Sequence, residues 1–149
     1  MRIILLHLLL TNFAMLAYGQ DLSSEDYCIA GLCPFDSVSK GGFLLGKPLS
    51  THWERGEDDS TQYLQFNGVE LEANAGGRIV HFAVSSPQFR TYRNAAVGDS
   101  VTSVKAAYGV PNHTRDNTLI YDSQSMYLSF ETSSGIVTKI SIGFYRAQD

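Results

Sequence analysis

Ser37-Val38-Ser39-Lys40 has the S-x-x-K spacing in which a lysine one helical turn on can activate a serine nucleophile. In penicillin-binding enzymes that chemistry also needs S-D-N and K-T-G elements on a much larger scaffold. Neither tripeptide occurs in these 149 residues. A hydrolytic centre would need a histidine beside a nucleophile and an acid, or histidines clustered with other metal ligands. The candidates are His52, His81 and His113. His81 alternates with Val80 and Phe82, so it falls on the face of a strand opposite both. His52 and His113 lie in equivalent regions after Pro48 and Pro111, which reads as repeated structure rather than as a ligand pair. Glu57, Asp58 and Asp59 gather three acids but lack the D-x-D-x-D-G spacing of a calcium loop. The expectation is a chain that is not an enzyme, with no catalytic residue, metal or cofactor.

The same segment suits protein recognition better. Thr51 to Ser60 holds the chain's one tryptophan, Trp53, beside His52 and the acids Glu57, Asp58 and Asp59. A hairpin tip of this kind can enter the cleft of a basic enzyme, with Trp53 as a buried anchor. Tyr121 and Tyr127 are expected on the sheet face away from the helices, where exposed tyrosines make a docking surface. Asn112-His113-Thr114 is a glycosylation sequon, relevant only in a eukaryotic secretory pathway.

Arg2, the apolar run Ile3 to Leu10, and Ala17-Tyr18-Gly19 together predict a secretory signal peptide over residues 1–19. The run is interrupted at Thr11-Asn12 and is shorter than the ~20 residues a spanning helix needs, so no membrane anchor is expected. The chain from Gln20 onward is expected to be secreted or periplasmic. An oxidising compartment predicts a disulfide between Cys28 and Cys33, with Gly31 helping the tight loop to close. A redox or zinc pair would call for other spacings. The remaining 130 residues suffice for one core-bearing domain. Losing Arg2 and no acid takes the formal net charge from −4 to −5. An acidic surface does not suit phosphate backbones, so no nucleic-acid partner is expected, and basic proteins fit better.

A repeat positions these residues. Asp36-Ser37-Val38-Ser39 followed by Gly46-Lys47-Pro48 recurs as Asp99-Ser100-Val101-Thr102 followed by Gly109-Val110-Pro111. Each copy leads into strand-like segments that include Gly77-Arg78-Ile79-Val80 or Gly135-Ile136-Val137-Thr138. In the second copy, Asp99 or Ser100 can cap a helix over 100–108, and Gly109 and Pro111 end it. Val101, Val104, Ala107 and Tyr108 form its apolar face. Strands are expected at 119–121, 126–130 and 138–144 from their alternation and turn-rich connectors. In the first copy, Gly41-Gly42 costs about 1 kcal/mol per glycine in a helix, so that segment is expected to be a single turn or extended. Strands are expected at 62–66 and 69–73, joined by an Asn67-Gly68 hairpin turn, and at 78–84. Residues 20–27 are expected to form a mobile arm, and 85–94 to link the copies. The fold class is therefore α+β. One domain, 20–149, would hold two tandem repeats of a short helix on an antiparallel β-meander, at about 33–84 and 95–144, with the first degraded.

Gly98-Asp99-Ser100, Val104 and Tyr108-Gly109 resemble the short repeated helix of the beta-lactamase-inhibitor-protein-like superfamily. Leu128-Ser129-Phe130 with Gly135-Ile136-Val137 is similar to its strand–turn–strand signature, and the resemblance covers most of 33–144. Members include secreted enzyme inhibitors and the small lipoprotein subunit of the outer-membrane barrel-assembly machinery. This chain lacks the lipidated cysteine of the latter. It differs from the inhibitor in its weakened first helix and single cysteine pair. The resemblance implies a non-catalytic module that binds another protein, such as a secreted hydrolase or a toxin, and inhibits or neutralises it by steric occlusion, as an immunity protein would. The alternative it implies is a structural envelope protein in outer-membrane assembly or adhesion.

Overall fold

In strand Val69–Ala73 (β3) Val69, Leu71 and Ala73 are buried while Glu70 and Glu72 are not, and this two-residue rhythm builds the molecule. The computed structural model describes residues 21–56, 60–123 and 125–145. The expected signal peptide and Glu57, Asp58 and Asp59 lie outside those residues. The fold is α+β. Helix Val38–Leu45 (α1) precedes strands Ser50–Arg55 (β1), Ser60–Phe66 (β2), β3 and Ile79–Val84 (β4). Helix Val101–Tyr108 (α2) precedes His113–Arg115 (β5), Thr118–Asp122 (β6), Met126–Ser133 (β7) and Ile136–Phe144 (β8). The strands form one antiparallel sheet in the order β1-β2-β3-β4-β8-β7-β6-β5. β4 and β8 join its halves, with Phe82 opposite Ile142.

Tight turns fix the register. Gly68 takes φ +72° in the β2–β3 hairpin, and a Cβ there would lie 2.5 Å from Ser86 Cβ. Ser134 and Gly135, both at positive φ, turn β7 into β8. Strands β2, β3, β4, β6, β7 and β8 then turn a set of buried apolar side chains to one face. Leu64, Phe66, Leu71, Phe82, Ile142, Leu128 and Tyr121 form a continuous buried layer. Val104 and Tyr108 of α2 are fully buried in the same cluster.

The two helices are held alike. Ser37 accepts from the Lys40 amide and Ser100 from the Ser103 amide. Gly46 and Gly109 end them at φ 85° and 78°. Asp36 accepts from the Cys33 amide at 2.8 Å, as Asp99 does from Ala96 at 2.8 Å. The Val38 and Val101 amides donate to Gly77 and Gly135 carbonyls.

Two expectations are corrected here. α1 is not a single turn but a full eight residues. Its glycine is a packing requirement: Gly41 is buried, and a Cβ on it would lie 2.9 Å from Leu71 Cδ1. Residues 21–27 are not a mobile arm. Ser24–Tyr27 is a 3₁₀ turn with Asp26 and Tyr27 buried. Ser23 and Asp26 close a capping box around its first turn. The Cys28–Cys33 disulfide is present.

Candidate functional site

Both helices pack on the face that carries Leu71 and Tyr121, and among the described residues no helix covers the other. The register aligns one row of side chains across seven strands of this open face. It runs His52, Tyr63, Glu72, His81, Gly143, Tyr127, Asp122. The His52 ring stacks on Tyr63 at 4.8 Å, nearly parallel. His81 Nδ1 lies 3.1 Å from Glu72 Oε1. Gly143 leaves room for the Tyr127 ring, since a Cβ there would sit 2.8 Å from the Tyr127 oxygen and 3.0 Å from His81 Cδ2. Tyr127 thus lies across β8 toward His81, with ring centroids 6.3 Å apart. On its other side Tyr145 packs at 5.3 Å and donates a 2.7 Å hydrogen bond to Asp122. His113 Nε2 reaches the same Asp122 oxygen at 3.4 Å.

A cleft of about 810 Å³ opens where this row meets the ends of the strands, lined by Glu54, Arg55, Tyr63, Glu72, His81 and Tyr127 among others. Its electrostatics favour neutral phenols. Burial, then the Glu72 carboxylate, pushes the Tyr127 hydroxyl up from its ordinary value. Burial and the hydrogen bond to Asp122 push Tyr145 up further. Both tyrosines therefore stay protonated across the physiological range, Tyr127 in the cleft lining and Tyr145 beside it with its hydroxyl donating to Asp122. The His81–Glu72 pair is the only histidine–carboxylate pair in the described lining, which contains no serine or cysteine.

The expected site residues divide. His52 and Tyr127 share the open row. Tyr121 does not belong with Tyr127. Its register partner is Leu128, so it faces the helices, is 2% exposed, packs 5.4 Å from Tyr108 and donates to the Gly109 carbonyl at 3.0 Å. Burial, then Tyr108, holds its hydroxyl up to about 12. Trp53 stands not at a hairpin tip but within β1, opposite Gln62, and is 53% exposed. It shares the face of Leu64, opposite to its neighbour His52. The reading of single segments missed Tyr63, Glu72 and Asp122. Each lies in a strand with an ordinary alternating pattern, and only the register brings them together.

No family model and no curated protein sequence matches this chain. Its fold is similar to the crystal structure of the uncharacterized protein yfeY from Escherichia coli, with a TM-score of 0.51 at 12% identity, covering 81% of this chain and 97% of that one. At that identity the likeness concerns the fold alone.

Proposed function

We propose that this chain is a non-catalytic protein-binding module, secreted or periplasmic, that inhibits or neutralises an envelope enzyme or toxin by covering its cleft. The observation that carries this reading is the row from His52 to Asp122, aligned on the face that no helix covers among the described residues. Aromatic rings and hydrogen-bonding side chains set on a sheet offer contact area at little entropic cost. His52, Tyr63, Glu72, His81 and Tyr127 would make the contact, with Glu57, Asp58 and Asp59 adjoining them in sequence. We further propose that the two halves are tandem copies of one unit of the beta-lactamase-inhibitor-protein-like kind. The matched caps at Ser37 and Ser100 and the matched turns at Gly77 and Gly135 support this.

The test uses residues 20–149 as bait in envelope extract, with a Tyr63→Ser/His81→Ala variant as control. Each retained hydrolase is then assayed against added chain. Inhibition near one-to-one by the wild type, lost in the variant, supports the proposal. Retention of an outer-membrane assembly component by both baits, with no enzyme inhibited, would replace it with the structural role.

A further inference from the structure

Trp53 has no part in the open face, yet it is a large apolar side chain left half in water. Its strand offers a reason. Among the described residues β1 is one edge of the sheet, hydrogen-bonded on one side to β2, and all six of its residues are exposed. The other edge, β5, is only three residues long. An edge strand presents a row of unpaired amides and carbonyls, which proteins blunt with prolines, bulges or shortness. Charged side chains serve the same end. Of these β1 carries only Glu54 and Arg55, of opposite sign, and it has no proline or bulge: its six residues pair with Ser60 to Gln65 in unbroken register.

We propose that β1 pairs antiparallel with β1 of a second copy of this chain, the two-fold axis passing between Trp53 and its own counterpart. In such a pair only side chains on the same face can meet, so one residue at the centre must face its own counterpart. Centred on Glu54, the pair would bring like charges together. Centred on His52, it would set histidine against histidine and leave Trp53 facing threonine. Centred on Trp53, it stacks the two indoles and sets His52 opposite Glu54 of the partner subunit, twice. Thr51 then faces Arg55 of the partner subunit. Cross-strand aromatic pairs and hydrogen-bonding or opposite-charge pairs are the units that stabilise a ladder. The result is one sheet running through both copies, with the two open faces on the same side. This goes beyond the proposed inhibitory role and needs no envelope enzyme.

The experiment is sedimentation velocity on residues 20–149 from 1 μM to 1 mM (roughly the range of small interfaces), joined to cysteine cross-linking. A mass that doubles with concentration is expected. His52→Glu should shift the midpoint at least tenfold upward by opposing two acids, and adding Glu54→Lys should restore it. Urea unfolding of each variant separates these effects from loss of fold. Facing Cα atoms in a ladder lie about 4.5–5.5 Å apart, within disulfide reach. Trp53→Cys should therefore oxidise to a covalent dimer, and His52→Cys should not. A chain that stays monomeric to 1 mM overturns the proposal and leaves the edge to a strand of another protein. A dimer that cross-links through residue 52, or that ignores the charge swap, overturns the register.

Discussion

Replacing Arg93 with methionine should unfold much of this protein's margin of stability. Asp26 is 0% exposed, and its carboxylate takes two 2.7 Å bonds from the Arg93 guanidinium. Ser23 adds its amide and hydroxyl at 2.9 and 3.2 Å. Arg93 also donates to the carbonyls of Ala107 and Asp21 and lies 5.1 Å above the Tyr108 ring. The pair thus clamps the first turn, the linker and the end of α2 together. Arg93→Met leaves a buried carboxylate with only Ser23 as a donor, which costs about 3–5 kcal/mol. Against a total of about 5–15 kcal/mol, that lowers Tm by about 10–15 °C. Asp26→Leu with Arg93→Met removes both charges and should recover most of the loss, because desolvating an ion pair offsets much of its attraction. Urea titrations of the two singles and the double give the coupling. Acid adds an independent readout. Burial would raise the Asp26 pKa, but the Arg93 hydrogen bonds, Ser23 and the Arg93 charge outweigh it and hold it below the ordinary 3.8. A depressed carboxylate gives stability that is complete above the unfolded value and lost as pH falls through the folded one. The wild type should therefore weaken below about pH 4, and the double variant should lack that part of the slope. An Arg93→Met cost under about 1 kcal/mol, or an unchanged acid limb in the double, would refute the clamp.

Gly42 has nothing within 4 Å of a Cβ, so Gly42→Ala should stabilise by about 0.5–1 kcal/mol in thermal melts. Gly41→Ala, forced against Leu71, should fall short of it. Gly143→Ala pushes into Tyr127 and His81 and should cost about 1–3 kcal/mol by urea titration, with a change in tyrosine fluorescence as the ring lifts from β8. Reducing the Cys28–Cys33 bridge, which spans a separation of 5, should cost only about 2 kcal/mol, measured as the shift in urea midpoint on adding a phosphine reductant.

Local pattern carried α2 and most of the strands. Val101, Val104 and Tyr108 at helical spacing, and Leu128, Phe130, Ile140 and Ile142 at strand spacing, report the buried face directly. α1 was hidden because Gly41 answers to Leu71, thirty residues away, rather than to helix propensity. Asp26 and Arg93 stand 67 positions apart, and no single window contains both. The turn that holds Asp26 left a local trace, Ser23-x-x-Asp26 at capping-box spacing, although its polar composition suggested a mobile arm. β1 and β5 carry only exposed residues, so they lack the alternation that marks a half-buried strand.

The candidate site was less legible for a reason built into β-structure. Alternation tells which residues of one strand share a face, but register decides how the faces of two strands join. Tyr121 and Tyr127 sit six residues apart on adjacent strands, yet the pairing of Tyr121 with Leu128 sends them to opposite sides of the sheet. His52 and Trp53 are adjacent in sequence, which makes them look like one recognition patch, and the same alternation separates them. His52 joins Tyr63 and the open row, while Trp53 is left on the other face of an uncovered edge. The two neighbours should then fail differently. Tyr63→Ser, which removes the ring under His52, should weaken capture of a partner by the open face and reach self-association only weakly, through His52. Trp53→Ala should weaken self-association and leave that capture intact. If both changes move both readouts together, the open face and the β1 edge act as one surface, and the division drawn from the register does not hold in solution.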